Sequence, residues 1–187
     1  MATTTNITQG LAVKYKNQDW IVSFAQFVNP GKGAAFTRAK LKNLKTGQVV
    51  ENTFRSGESI ETIDVVRNKC QYLYNDSSDF YFMDNETFEQ FALSADIIGD
   101  QKDFLLDNTE CYSLYIDGTP MSIQLPPKMT FTVISTPPGV KGDTATGGSK
   151  EAIIDSGATI KVPLFIKEGE RIIVNTEDRS YVSKDNS

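Results

Sequence analysis

Short runs of β-branched and aromatic residues, cut at close intervals by turn residues, leave this chain little alternative to strands. Residues 20–28 hold Trp20, Ile21, Val22, Phe24, Phe27 and Val28. The cluster Asn29-Pro30-Gly31-Lys32-Gly33 stops that run, because proline fixes φ and glycine admits backbone conformations closed to other residues. Residues 34–44 then alternate apolar and basic side chains, and Lys45-Thr46-Gly47 turns the chain into 49–54. With 10–15 added, four or five strands in about 60 residues predict a small β-barrel of SH3-like size.

The same grammar continues. Residues 70–75 and 80–83 predict a hairpin around Asp76-Ser77-Ser78, with Tyr72, Tyr74, Phe80 and Phe82 at period two. In their acidic setting these aromatics read as core rather than as a stacking platform for bases. Residues 100–107 predict a short helix. Strands at 111–116 and 121–125 flank Asp117-Gly118, a strong hairpin signal. Pro126-Pro127 reads as a linker, since neither residue can donate to a ladder. Beyond it lie strands at 128–136, 152–154, 159–165, 171–175 and 179–183, with a Gly-rich stretch over 137–150. Met129, Phe131, Val133 and Ser135 are expected on one face. Three domains follow, 1–63, 64–127 and 128–187. The fold class is all-β, and five-stranded barrels of the OB type fit the second and third.

Composition narrows the chemistry. The chain has no histidine, which removes the commonest general base and transition-metal ligand. Catalysis and a metal site become less expected, while a carboxylate or lysine enzyme stays possible on composition. Cys70 and Cys111 lie in apolar segments and read as small buried hydrophobes. No stretch approaches the roughly 20 apolar residues of a membrane span, and Met1 to Gln9 lacks a basic-then-apolar leader pattern, so a cytoplasmic location is expected, with no membrane partner.

The net charge of −5 hides a polarity. Residues 1–63 carry 8 basic and 4 acidic side chains, residues 64–127 carry 3 and 12, and residues 128–187 carry 8 and 8. Phosphate contact therefore belongs to the first domain. The acidic second domain serves as a spacer, faces a basic protein, or is simply solvated.

Three features can carry function. The loop Pro30, Gly31, Lys32, Gly33 presents a long flexible amine at the end of two strands; its bland alternative is a solvated turn. Arg38, Lys40 and Lys42 share one strand face at period two, either to track phosphates or to meet water. The loop that contains Gly142, Asp143 and Thr144 offers backbone amides, a carboxylate and a hydroxyl for base edges or ribose hydroxyls, or is mobile.

Read together, these segments resemble one family. The stretches FVNPGKGAAFTRAKLKNLKTGQVVENTFRSGE (27–58), QYLYND (71–76), FMDNETFEQ (82–90), PGVKGDTATGG (138–148), VPLFIKEGERI (162–172) and YVS (181–183) are similar, in the same order, to bacterial elongation factor P. The resemblance implies an SH3-like (KOW-type) barrel followed by two OB-fold barrels in an L-shaped, tRNA-like arrangement. It implies a monomer, not an enzyme, that binds the 70S ribosome between the P and E sites beside peptidyl-tRNA, stimulates peptide-bond formation and relieves stalling at consecutive prolines. Lys32 matches the tip lysine that points to the CCA end of the P-site tRNA. In many members an enzyme extends that lysine, for example by β-lysylation; no other cofactor is implied. Gly142, Asp143 and Thr144 match the loop placed near the E-site codon of the mRNA. Tyr181 matches a tyrosine that faces tRNA and the small subunit. Lys184 stands where the family commonly has arginine, and lysine lacks arginine's bidentate fork.

Two other classes stay open on sequence alone: a paralogous factor of the same build with a different client range, and an OB-type RNA chaperone acting off the ribosome. A carboxylate enzyme is more distant, since Glu168/Glu170 and Asp76/Asp79 fit surface turns.

Overall fold

A computed structural model of the chain describes residues 1–140 and 148–187. Its strands form three antiparallel sheets, one for each predicted barrel.

The first sheet contains β1 (Ala2–Thr3), β2 (Ala12–Tyr15), β3 (Gln18–Val28), β4 (Phe36–Asn43), β5 (Val49–Arg55) and β6 (Ser59–Thr62), in the order β1-β6-β2-β3-β4-β5. Its core is a separate apolar cluster around Val13, Trp20, Val22, Leu41, Phe54 and Ile60. The polar start of the chain pairs as β1 with β6, Ala2 opposite Ile60.

The second sheet contains β7 (Val66–Asn75), β8 (Asp79–Asp84), β9 (Gln90–Ser94), β10 (Glu110–Ile116) and β11 (Thr119–Gln124), in the order β11-β10-β7-β8-β9. The third contains β12 (Lys128–Ser135), β13 (Ser149–Ile154), β14 (Thr159–Pro163), β15 (Arg171–Asn175) and β16 (Ser180–Lys184), in the order β14-β13-β12-β15-β16. Numbered within its own sheet and read from the matching end, each runs five, four, one, two, three. The two barrels thus share one topology, the repetition expected from their strand counts.

Between β9 and β10 the chain makes α1 (Ala95–Ile98) and a 3₁₀ turn, Gly99–Phe104. The helical segment begins earlier than the predicted 100–107. Gly99, at φ +59°, ends α1. Leu105 then turns extended, at φ −83° and ψ 115°, and is buried with Phe104.

The second and third barrels share one apolar cluster, in which Phe104 meets Phe131. Pro126 and Pro127 do sit between them, and their carbonyls accept hydrogen bonds from Thr176 Oγ1 and Thr176 N. The linker is therefore tied down by the barrel that follows it.

Two bulges correct the alternation argument. The ladder between β7 and β8 shifts between Tyr72 and Tyr74. Tyr72 stays buried, whereas Tyr74 is exposed and stacks on Tyr81 with ring centroids 4.6 Å apart. The extra residue of a bulge moves everything beyond it to the other face. A shift between Val133 and Ser135 likewise exposes Ser135. Cys70 and Cys111 are buried as expected, but they face each other across β7 and β10 with sulfurs 3.3 Å apart. That contact and burial push the Cys111 thiol pKa up.

Candidate nucleic-acid interface

The predicted site residues divide among three places. The first is the hairpin of β3 and β4. Strand β3 runs for 11 residues, yet the first core takes only Trp20 and Val22 as fully buried members from it. Beyond Val22 the hairpin continues as a ladder to the pair Val28 and Phe36. Strand β5 pairs with β4 as far as Phe36 opposite Arg55, so the arm is three-stranded, and Thr37 and Ala39 on its inner face are buried.

At the end of this arm stand Pro30, Gly31, Lys32 and Gly33. Lys32 is exposed, as are both glycines. Gly33 sits at φ +109°, a conformation that L side chains rarely adopt, with the Pro30 ring at van der Waals distance from where its Cβ would be. One glycine therefore makes the turn and the proline stiffens it. Gly31 has open space around it.

A third bulge, between Val22 and Phe24, decides the outer face of the arm. Unbroken alternation from Trp20 would put Phe24 inside. The bulge instead sets Phe24 opposite Lys40 and Gln26 opposite Arg38. Phe24 and Phe27 are about half exposed. Arg38 lies over the Phe36 ring at 5.5 Å, and Lys40 reaches Glu51 at 3.4 Å. The result is a basic strip flanked by Phe24 and Phe36 that leads to Lys32, while Phe27, opposite the buried Thr37, lies on the other face. Such a strip can neutralise phosphates and stack on bases or sugars.

Lys42 shares the face but not the exposure. Its ammonium donates to the Ile98 carbonyl of the second barrel at 3.4 Å. Burial lowers its pKa, partly countered by Asp100. It belongs to the junction between barrels rather than to the free strip.

The second place is β16. Tyr181 is half-buried against the shared core of the second and third barrels. Lys184 donates to Glu170 at 2.7 Å and lies 5.3 Å from the centroid of the exposed Phe165 ring. Hydrogen bonds from Lys184 and from the Lys167 backbone hold the Glu170 carboxyl below its ordinary pKa.

The third place is the Gly-rich loop. Gly142, Asp143 and Thr144 lie outside the described residues. The base of the loop is clamped. Lys150 Nζ donates to the Pro137 carbonyl at 2.7 Å. A Cβ on Gly139 would stand 2.4 Å from the Leu164 carbonyl oxygen, so only glycine fits there.

Comparison with known proteins assigns all three barrels. Residues 3–60 match the family Elongation factor P (EF-P) KOW-like domain, residues 65–123 the Elongation factor P (EF-P) OB domain, and residues 129–184 Elongation factor P, C-terminal. The chain belongs to the elongation factor P family. It is a translation elongation factor, and membership implies association with the ribosome. Two solved structures are similar to it at a distance. Eukaryotic translation initiation factor 5A from Methanococcus jannaschii is 18% identical, over 67% of this chain and 90% of that one, at a TM-score of 0.44. A translation initiation factor eif-5a family protein from Naegleria fowleri ATCC 30863 is 16% identical, over 66% and 96%, at 0.37.

Among the described residues, no group of three or more Cys, Asp or Glu side chains is placed to hold a metal ion. No helix among them is long and apolar enough to cross a membrane.

Proposed function

We propose that this elongation factor binds the 70S ribosome between the P and E sites and sets the end of peptidyl-tRNA for peptide-bond formation. The single observation that carries this reading is Lys32, exposed in the loop at the end of the long β3–β4 hairpin. The arm is three-stranded, hydrogen-bonded up to the loop and basic on one face, so it can present that loop to an RNA-lined cavity without unfolding.

Within that reading each part has a task. Lys32 approaches the CCA end and restrains it. Arg38 and Lys40 follow the phosphates behind it, with Phe24 as an apolar contact. Gly142, Asp143 and Thr144 read the E-site codon, while Tyr181 and Lys184 lie on the tRNA side of the third barrel. Proline is a rigid and poorly placed nucleophile, so consecutive prolines profit most from a partner held in register. The factor contributes position and touches no reacting bond. An exposed lysine at the end of a stiff turn is also open to an enzyme that lengthens it, as β-lysylation would.

The test is Lys32→Ala in a reconstituted translation of a consecutive-proline reporter. The variant is expected to unfold at the wild-type temperature and to lose rescue of the stall. Wild-type rescue by this variant would overturn the role of Lys32. Intact mass of protein from its native host, with peptide mapping across Lys32, then shows whether the amine is extended.

A further inference from the structure

The first barrel has its own core, and it touches the second where the β4–β5 turn meets α1. Gly47 ends the β4–β5 turn at φ +73°. A Cβ placed on it would stand 2.1 Å from the Asp96 carbonyl oxygen, 2.7 Å from the Asp96 carbonyl carbon and 3.3 Å from Ile97 N. Those atoms are backbone of α1 and cannot swing aside. By contrast Gly57, at φ +89° in the same barrel, has nothing within 4 Å of such a Cβ. Gly47 is therefore constrained twice, by conformation and by contact.

The turn that carries Gly47 is stiff. Asn43 Oδ1 accepts from Lys45 N at 2.8 Å and from Thr46 N at 3.0 Å. Gly47 N donates to the Asn43 carbonyl at 2.9 Å. Beside it Lys42 reaches the Ile98 carbonyl, and on another edge Arg67 Nη2 donates to the Gly10 carbonyl at 2.8 Å.

We propose that the seam between Gly47 and the Asp96 backbone aims the arm, so that Gly47 is a positioning residue for the reaction that Lys32 serves. The inference rests on the reading of Lys32 given above. Strand β4 runs from this seam to the arm's end. At 3.4 Å per residue plus the loop, the tip lies about 30 Å away, so a tilt of about 10° at the seam moves Lys32 by about 5 Å. Misplacement of about 1 Å can lower a positioned reaction about 100-fold.

The experiment compares Gly47→Ala with Gly57→Ala in the full-length chain. Both carry the backbone strain of alanine at positive φ, but only the first meets α1. Spin labels on Ser56→Cys and Glu89→Cys, both exposed, report the distance between the first and second barrels. Gly57→Ala is expected to keep the wild-type distance distribution and rescue. Gly47→Ala is expected to shift or broaden the distribution and to slow proline–proline bond formation at least tenfold at saturating factor. A distribution equal to that of Gly57→Ala overturns the proposal, and so does a shifted distribution with wild-type rescue. If Gly47→Ala does not fold, Asn43→Ala removes the acceptor of Lys45 N and Thr46 N and so loosens the turn that sets Gly47 on Asp96. Its distance distribution must then shift, and an unchanged one overturns the proposal. The distance measurement stands without the ribosome, so full rescue by Lys32→Ala would sink the reading of Lys32 while still letting the seam be judged.

Discussion

Phe104, at the end of the second barrel's 3₁₀ turn, packs on Phe131 of the third barrel's first strand with ring centroids 5.6 Å apart and planes inclined at 42°. Each ring is 1% exposed, so each barrel completes the other's interior. Phe131→Ala is expected to cost about 3–5 kcal/mol, the range for emptying a buried phenyl site. Because the core is shared, the second and third barrels should unfold in one transition. Urea denaturation followed by circular dichroism and by the near-ultraviolet signal checks this. Two separated transitions for these barrels would count against it.

Asp84 is the buried carboxylate of the second barrel, 1% exposed. Burial pushes its pKa up, but the backbone N–H of Thr87, the Asn68 amide, the backbone N–H of Glu86 and the Tyr115 hydroxyl outweigh it and hold the pKa below 3.8. The folded state therefore binds this proton less tightly than the unfolded state. Its contribution to stability is full above that ordinary value and is lost as pH falls through the depressed folded one. Asp84→Asn should cost about 1–3 kcal/mol near neutral pH through disturbed buried hydrogen bonds. It should also flatten the fall of stability below the ordinary value, read from thermal unfolding across an acid series.

Arg38 and Lys40 are neighbours on the same face but are not equally available. Lys40 already faces Glu51, whereas Arg38 lies over Phe36. Arg38→Ala should weaken ribosome binding more than Lys40→Ala. A phosphate contact removed with Arg38 should also lower the slope of log affinity against log salt by about one. Titrations at several salt concentrations decide between them. Equal losses with unchanged slopes would place neither side chain on phosphate.

The gentler effect belongs to Lys184. Its ammonium is engaged by Glu170, so Lys184→Ala should lower binding less than Arg38→Ala in the same titration. Glu170→Gln frees Lys184 and should raise binding if the lysine meets RNA.

Much of the architecture was legible in the sequence because turn residues and alternation are local signals. The long arm followed from Trp20 to Val28, and the tip from the Pro-Gly-Lys-Gly turn. Alternation failed wherever a bulge intervened, since one extra residue reverses every side chain after it. Phe24 and Tyr74 therefore look inward on paper and outward in the fold. The helix lay earlier than its apolar residues suggested, because Phe104 and Leu105 are buried where the helical segment ends rather than along a continuing helix. Contacts between barrels left no local mark. Nothing around Gly47 separates it from Gly57, although one touches α1 and the other touches nothing. The lysines of β4 likewise look equivalent at period two, and only the junction with Ile98 sets Lys42 apart.

The shared interior of the last two barrels also governs how the protein is born. The first barrel closes on its own cluster and can fold while the rest is still being made. The second cannot bury Phe104 against Phe131 until the third has emerged. At about 5–20 residues per second, the remaining 60 or so residues take roughly 3–12 s. For that interval Phe104 of the nascent second barrel lacks the ring that covers it in the finished protein.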